Sequence, residues 1–182
     1  PPLDAARIEA ILLSISPGSA ERLSQGREAD FGHSDAEGRR YRVSAFLERR
    51  GVSIAFRVLG NRPPSVEQLG LPRDILRAAY ARSGLVLFAG HAGAGKTTTL
   101  ASVLQEMADR RLLRLITLED PIEYRIAPGR AYVEQRGVGR HCPTFSQGVL
   151  EAFESGPDAI AIGELRDLET IRTALTAAES GI

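Results

Sequence analysis

The stretch GHAGAGKTTT, residues 90–99, limits what this chain can fold into more than any other segment. It matches G-x-x-x-x-G-K-[ST] at each fixed position, through Gly90, Gly95, Lys96 and Thr97. Glycines allow the torsions that turn successive amide N–H groups inward as a nest for phosphate oxygens. A helix starting at Lys96 aims the positive end of its dipole at the same anions. The candidate nucleotide-binding residues are therefore Gly90, Ala92, Gly93, Ala94, Gly95, Lys96, Thr97 and Thr98. Composition sharpens the reading, because 22 of the 23 basic residues are arginine and Lys96 is the one lysine. In a cradle already lined by amide donors, a compact ammonium on a flexible stem serves as a mobile point charge, a role the wide planar guanidinium fork fits less well. Thr97 can offer its hydroxyl to Mg²⁺, which keeps most of its waters and takes few protein ligands. The competing reading is a chance match in a Gly/Ala-rich turn. Four constrained positions between an apolar run, LVLF at 85–88, and a helical segment from Lys96 to about Asp109 weigh against it.

Around this loop the pattern is strand alternating with helix. LRLITLE (113–119) and AIAIGE (159–164) read as further buried strands, predicting a mostly parallel sheet covered on both faces. The first third of the chain follows a different grammar. Residues 4–16 place Ile8, Ile11, Leu12 and Ile15 at helical spacing before the breaker SPGS. YRVSAFLE (41–48) and VSIAFRVL (52–59) alternate apolar and polar residues, with RRG at 49–51 as a hairpin turn. The expected organisation is a small α+β domain over 1–59, a Pro/Gly-dense linker over 60–72, and an α/β domain over 73–182.

Two carboxylate-bearing segments accompany the loop. TLEDPIEY (117–124) presents Glu119, Asp120 and Glu123 around a proline turn at the end of a strand, where acids can hold Mg²⁺ or polarise a water. The alternative is a charged turn on a solvated rim. In DAIAIGE (158–164), Glu164 emerges at a strand end and suits the general base, while Gly163 stands where an Asp is usual. Read alone, Glu164 is equally a plain surface residue.

Charge excludes some partners. Lys+Arg and Asp+Glu are both 23, so no global basic field attracts nucleic acid or an anionic membrane. The single cysteine, Cys142, has no partner for a disulfide or a zinc pair, and no apolar run is long enough to span a bilayer.

The runs GLVLFAGHAGAGKTTTLASVL, LITLEDPIEY, VEQRGVG and PDAIAIGELRDLETIRTALTAAESG together resemble the hexameric secretion and type IV pilus ATPases. The segment LETIRTALTAAESG is similar to the retraction, or twitching-motility, branch. The resemblance implies a PAS-like N-terminal domain, a RecA-like P-loop core and a Mg²⁺-dependent ATPase. It further implies a homo-hexamer driving type IV pilus retraction. Such a ring would be cytoplasmic, held at the inner membrane by a pilus platform protein without inserting itself. Pilus assembly, type II secretion and a catalytically weak nucleotide-binding paralogue are the alternatives. Under the resemblance Glu164 and Glu119 act on the reacting groups, and Thr97 and Glu119 serve the metal. Arg42 and Arg57 match arginines that reach the phosphates, although each is also readable as a solvent-facing strand residue. The chain ends at AAESGI, where the family continues into a strand and a histidine box, so a core incomplete on its C-terminal side is expected. Leu150 and Glu154 stand where the family usually has arginines, which puts hydrolysis or its coupling between subunits in question.

Overall fold

The computed structural model describes residues 3–182, which pack as two units, one up to Asn61 and one from Arg62 onward. Each unit is described by itself.

The first unit is α+β. Helix α1 (Ala5–Ile15) opens where the Asp4 carboxylate accepts the N–H of Arg7 at 2.8 Å. Helix α2 (Pro17–Ser24) follows at once. Pro17 cannot continue α1, but its fixed φ suits the first position of a new helix, so the expected breaker both ends one helix and starts the next. Strands β1 (Ala29–Ser34), β2 (Arg40–Glu48) and β3 (Gly51–Leu59) form an antiparallel sheet in that order. The β2–β3 hairpin closes with Glu48 opposite Gly51. Period-two alternation places Ala29, Ala45 and Val52 against Leu12 of α1 and Leu23 of α2, forming this unit's core.

The second unit begins inside the stretch read as a linker. Val66 is buried, and Ser65 and Gln68 cap each other, the Ser65 N–H donating to Gln68 Oε1 and the Gln68 N–H to Ser65 Oγ. A 3₁₀ turn (Arg73–Leu76) and short helix α3 (Arg77–Tyr80) precede helix α4 (Lys96–Arg110). Then come β4 (Arg114–Glu119), β5 (Tyr132–Gly137), helix α5 (Phe145–Glu154), β6 (Ala159–Ile162) and helix α6 (Leu168–Glu179). The sheet order is β5-β4-β6, with both pairings parallel. Strand β4 is its middle strand. Leu115 packs with Val103, Leu104 and Met107 of α4, and Leu118 packs with Val149 of α5 and Cys142. Both faces of the sheet are thus covered, as the sequence predicts.

One expected strand differs. Residues 84–90 run without a ladder, and Leu85, Val86 and Leu87 are 44%, 48% and 65% exposed. A strand exists only where a neighbour takes its N–H and C=O groups. Strand β6 ends the sheet, and between it and this apolar run lies part of a cavity of about 760 Å³. Among the described residues no helix is long and apolar enough to cross a membrane.

The contrast between the two leucines flanking the start of β4 is testable. Leu115 is fully buried and Leu112 is 86% exposed. Leu115→Ala should cost about 3 kcal/mol by urea denaturation at unchanged m value, and Leu112→Ala under about 0.5 kcal/mol. Equal losses would show that β4 is not the buried middle strand.

Candidate functional site

The glycine loop is built as the motif requires. Gly95 has φ +88°, a left-handed conformation that only glycine adopts cheaply, and it caps α4 immediately before Lys96. Gly93, at φ +79°, makes the loop's other left-handed turn. No side chain caps α4, so its first N–H groups open onto the loop. Lys96 Nζ donates to the carbonyls of Gly90 and His91, each at 2.9 Å. The ammonium therefore lies across the mouth of the nest on two neutral acceptors. Both are weaker partners than phosphate oxygens. Thr97 is exposed at the start of the helix, and Thr98 is half-buried beside it.

Strand β4 delivers Glu119 to the same place. Leu115, Thr117 and Glu119 alternate onto the α4 side. Half-buried Glu119 accepts from Thr117 Oγ1 at 2.7 Å and from Gln135 Nε2 at 2.9 Å, both on Oε1. Burial pushes its carboxyl above the ordinary carboxylate range, while Thr117, Gln135 and the backbone N–H of Glu123 pull the other way. The proline turn after it, with a cis Asp120–Pro121 peptide, leaves Asp120 exposed.

Glu164 follows β6. Its carboxylate pairs with Arg166 at 2.9 Å, and its side chain is 33% exposed. Gly163 explains why no Asp precedes it. A Cβ there would lie 3.1 Å from the Leu118 carbonyl oxygen and 3.4 Å from Glu119 Cα. The close approach brings the ends of β4 and β6 together, so that their two glutamates neighbour one cavity.

That cavity of about 760 Å³ is lined by Lys96, Thr97, Glu119 and Glu164, with Thr117 and Tyr124 beside them. Ala92, Gly93 and Ala94 are exposed on the loop. The hard oxygen donors Thr97 and Glu119 fit a Mg²⁺ ion that retains waters, and no group of three or more His, Cys, Asp or Glu suited to a metal occurs among the described residues. Leu150 and Glu154 do not line the cavity; both are exposed on α5. On the first unit Arg42 and Arg57 stand directly opposite each other across β2 and β3, with Asp30 Oδ2 3.7 Å from Arg42. Gln135 was missed by sequence reasoning. The signal that would have found it is its register on β5, opposite Thr117.

A parallel α/β sheet with a phosphate-type loop and two strand-end acids defines a P-loop protein. The model of the family "Type II/IV secretion system protein" matches residues 14–182, and the chain belongs to that family. It is 41% identical over 181 residues to the uncharacterized protein YggR of Escherichia coli. It is 37% identical over 182 residues to the type IV pilus retraction ATPase PilT of Pseudomonas aeruginosa. These alignments cover 99% and 100% of the chain but 56% and 53% of the relatives, so the chain spans about half their length. The crystal structure of the pilus retraction motor PilT with bound ADP superposes with a TM-score of 0.89 at 36% identity, covering 95% of this chain and 51% of that one. The α/β fold with a parallel sheet expected from the sequence is therefore that of the PilT-type secretion ATPases.

The raised carboxyl of Glu119 has a consequence for stability. A folded-state pKa above the unfolded one means that the folded protein holds the proton more tightly. Its contribution to stability is present below the ordinary value of 4.5 and lost as pH rises through the raised one. Glu119→Gln should therefore lose less stability than wild type between about pH 4.5 and neutrality, read from urea midpoints. Superimposable pH profiles would show that the carboxyl titrates normally.

Proposed function

We propose that this chain carries the nucleotide site of a Mg²⁺-dependent ATPase, a motor subunit of a ring that drives type IV pilus retraction. The observation that carries the reading is the convergence of Lys96, Thr97, Glu119 and Glu164 on one cavity beside an uncapped helix start. The amides of residues 90–98 bind the phosphates, and Lys96 exchanges two carbonyls for β- and γ-phosphate oxygens. Glu164 orients a water toward the γ-phosphorus and takes its proton as the P–O bond to the leaving diphosphate breaks. Mg²⁺, held by Thr97 with Glu119 nearby, would neutralise charge on the phosphate oxygens.

Arg42 and Arg57 are proposed as cations offered to a triphosphate in the assembled homo-hexamer. Arg42 and Arg57 stand directly opposite on β2 and β3, so a polyanion reaching that face would meet two guanidinium groups, one of them already paired with Asp30. The retraction role rests on similarity to PilT along the full chain. A ring of this kind would work in the cytoplasm, docked on a pilus platform protein of the inner membrane. Pilus assembly and protein secretion use the same chemistry on other cargo. The weak-paralogue reading draws on Leu150 and Glu154, but their position off the cavity favours an effect on coupling over an effect on bond cleavage.

Two variants of the full-length protein test the site. Lys96→Ala should weaken ATP binding at least tenfold by calorimetry, and unchanged affinity would overturn the loop assignment. Glu164→Gln should bind ATP as wild type does yet lower kcat by about 100-fold or more. Retained turnover would remove Glu164 from the base role.

A further inference from the structure

The geometry points to Gln135 as a positioning residue that fixes the Glu119 carboxylate through its side-chain amide; the inference rests on the ATPase reading of the cavity. Gln135 sits on β5 directly opposite Thr117 of β4. Its Nε2 donates to Glu119 Oε1 and to the Tyr124 carbonyl, each at 2.9 Å, and its Oε1 accepts the Ile126 N–H at 2.9 Å. Both donors and the acceptor of the carboxamide are thus used. The orientation is determined by chemistry, since a flipped amide would set a carbonyl oxygen against both Glu119 and Tyr124.

A second glutamine provides an internal comparison. Gln105 of α4 clips the other side of the same loop, donating from Nε2 to the Ala127 carbonyl at 3.1 Å and accepting the Ala127 N–H at 2.9 Å. Gln105 also reaches Asp109, but it makes no bond to Glu119. Residues 124–127 are therefore held from two sides, and only the β5 clip extends to the acid. Without Gln135, Glu119 would keep the Thr117 hydroxyl and the Glu123 N–H but lose its one tie to the neighbouring strand. The two donors on Oε1, from adjacent strands, hold that oxygen in one place. Misplacement by about 1 Å of a group that positions the reactants costs on the order of 100-fold in rate, so a lost donor should be read in kcat.

The test uses the full-length protein with Gln135→Met and Gln105→Met, which keep length and remove the amide. Both should lower Tm by similar amounts. Gln135→Met should lower kcat at least tenfold with KM for ATP within twofold of wild type, while Gln105→Met keeps kcat within twofold. Equal kcat losses, or wild-type kcat in Gln135→Met, would overturn the proposal, because the loop clip alone would then explain the residue. A second measurement does not need turnover. In ¹⁵N–¹H spectra of protein with Gln135 wild type, the Gln135 side-chain amide signal should move when Glu119 is changed to Ala. An unmoved signal overturns the contact even if the enzyme is active. An inactive wild type with a moved signal sinks the ATPase reading but supports the contact.

Discussion

The middle strand of the parallel sheet is buried on both faces, and the polar groups of the candidate site collect at its end. Strand β4 has Leu115 against α4 and Leu118 against α5, with β5 and β6 on its two edges. Nothing in the middle of such a strand can carry charge at tolerable cost. Thr117 is fully buried but spends its hydroxyl on Glu119, and Glu119 lies where the cover begins to open. The parallel arrangement sends β6 to the same end, so Glu164 arrives beside it. The helix that covers β4 is also the helix whose first residue is Lys96. One packing constraint thus aligns the phosphate loop with both acids.

The parts of this arrangement that were legible are those in which local chemistry leaves little choice. Glycines at 90, 93 and 95 before Lys96 announce a tight turn entering a helix, and β2, β3, β4 and β6 showed in their apolar patterns. Other parts depend on neighbours. ADFGHS contains residues disfavoured in strands, yet it becomes β1 because β2 offers it an edge. YVEQRG is polar and becomes β5 for the same reason, which hid Gln135. LVLF failed in the opposite direction. Its composition is that of a strand, but a run without a ladder partner is not one, and apolar character alone cannot supply the partner. Val66 shows the same limit, being anchored in the second unit within a stretch whose Pro/Gly density suggests bare linker.

The two acids at the cavity are held very differently, and the difference bears on the roles proposed for them. Glu119 is half-buried, bonded to two side chains from adjacent strands and to a backbone N–H, so moving it would break several bonds at once. A group held that way suits a fixed task such as orienting an ion's water shell. Glu164 is tied to Arg166, whose side chain is 80% exposed. An ion pair of that kind contributes about 0–1 kcal/mol and is screened by salt. Releasing Glu164 from it therefore costs little, and Gly163 adds no side chain to obstruct the strand end. A base must approach a water, accept its proton and give that proton up again each cycle. Of the two carboxylates, the weakly tethered one at the end of β6 is better suited to the base role proposed for it than the one held by Gln135 and Thr117.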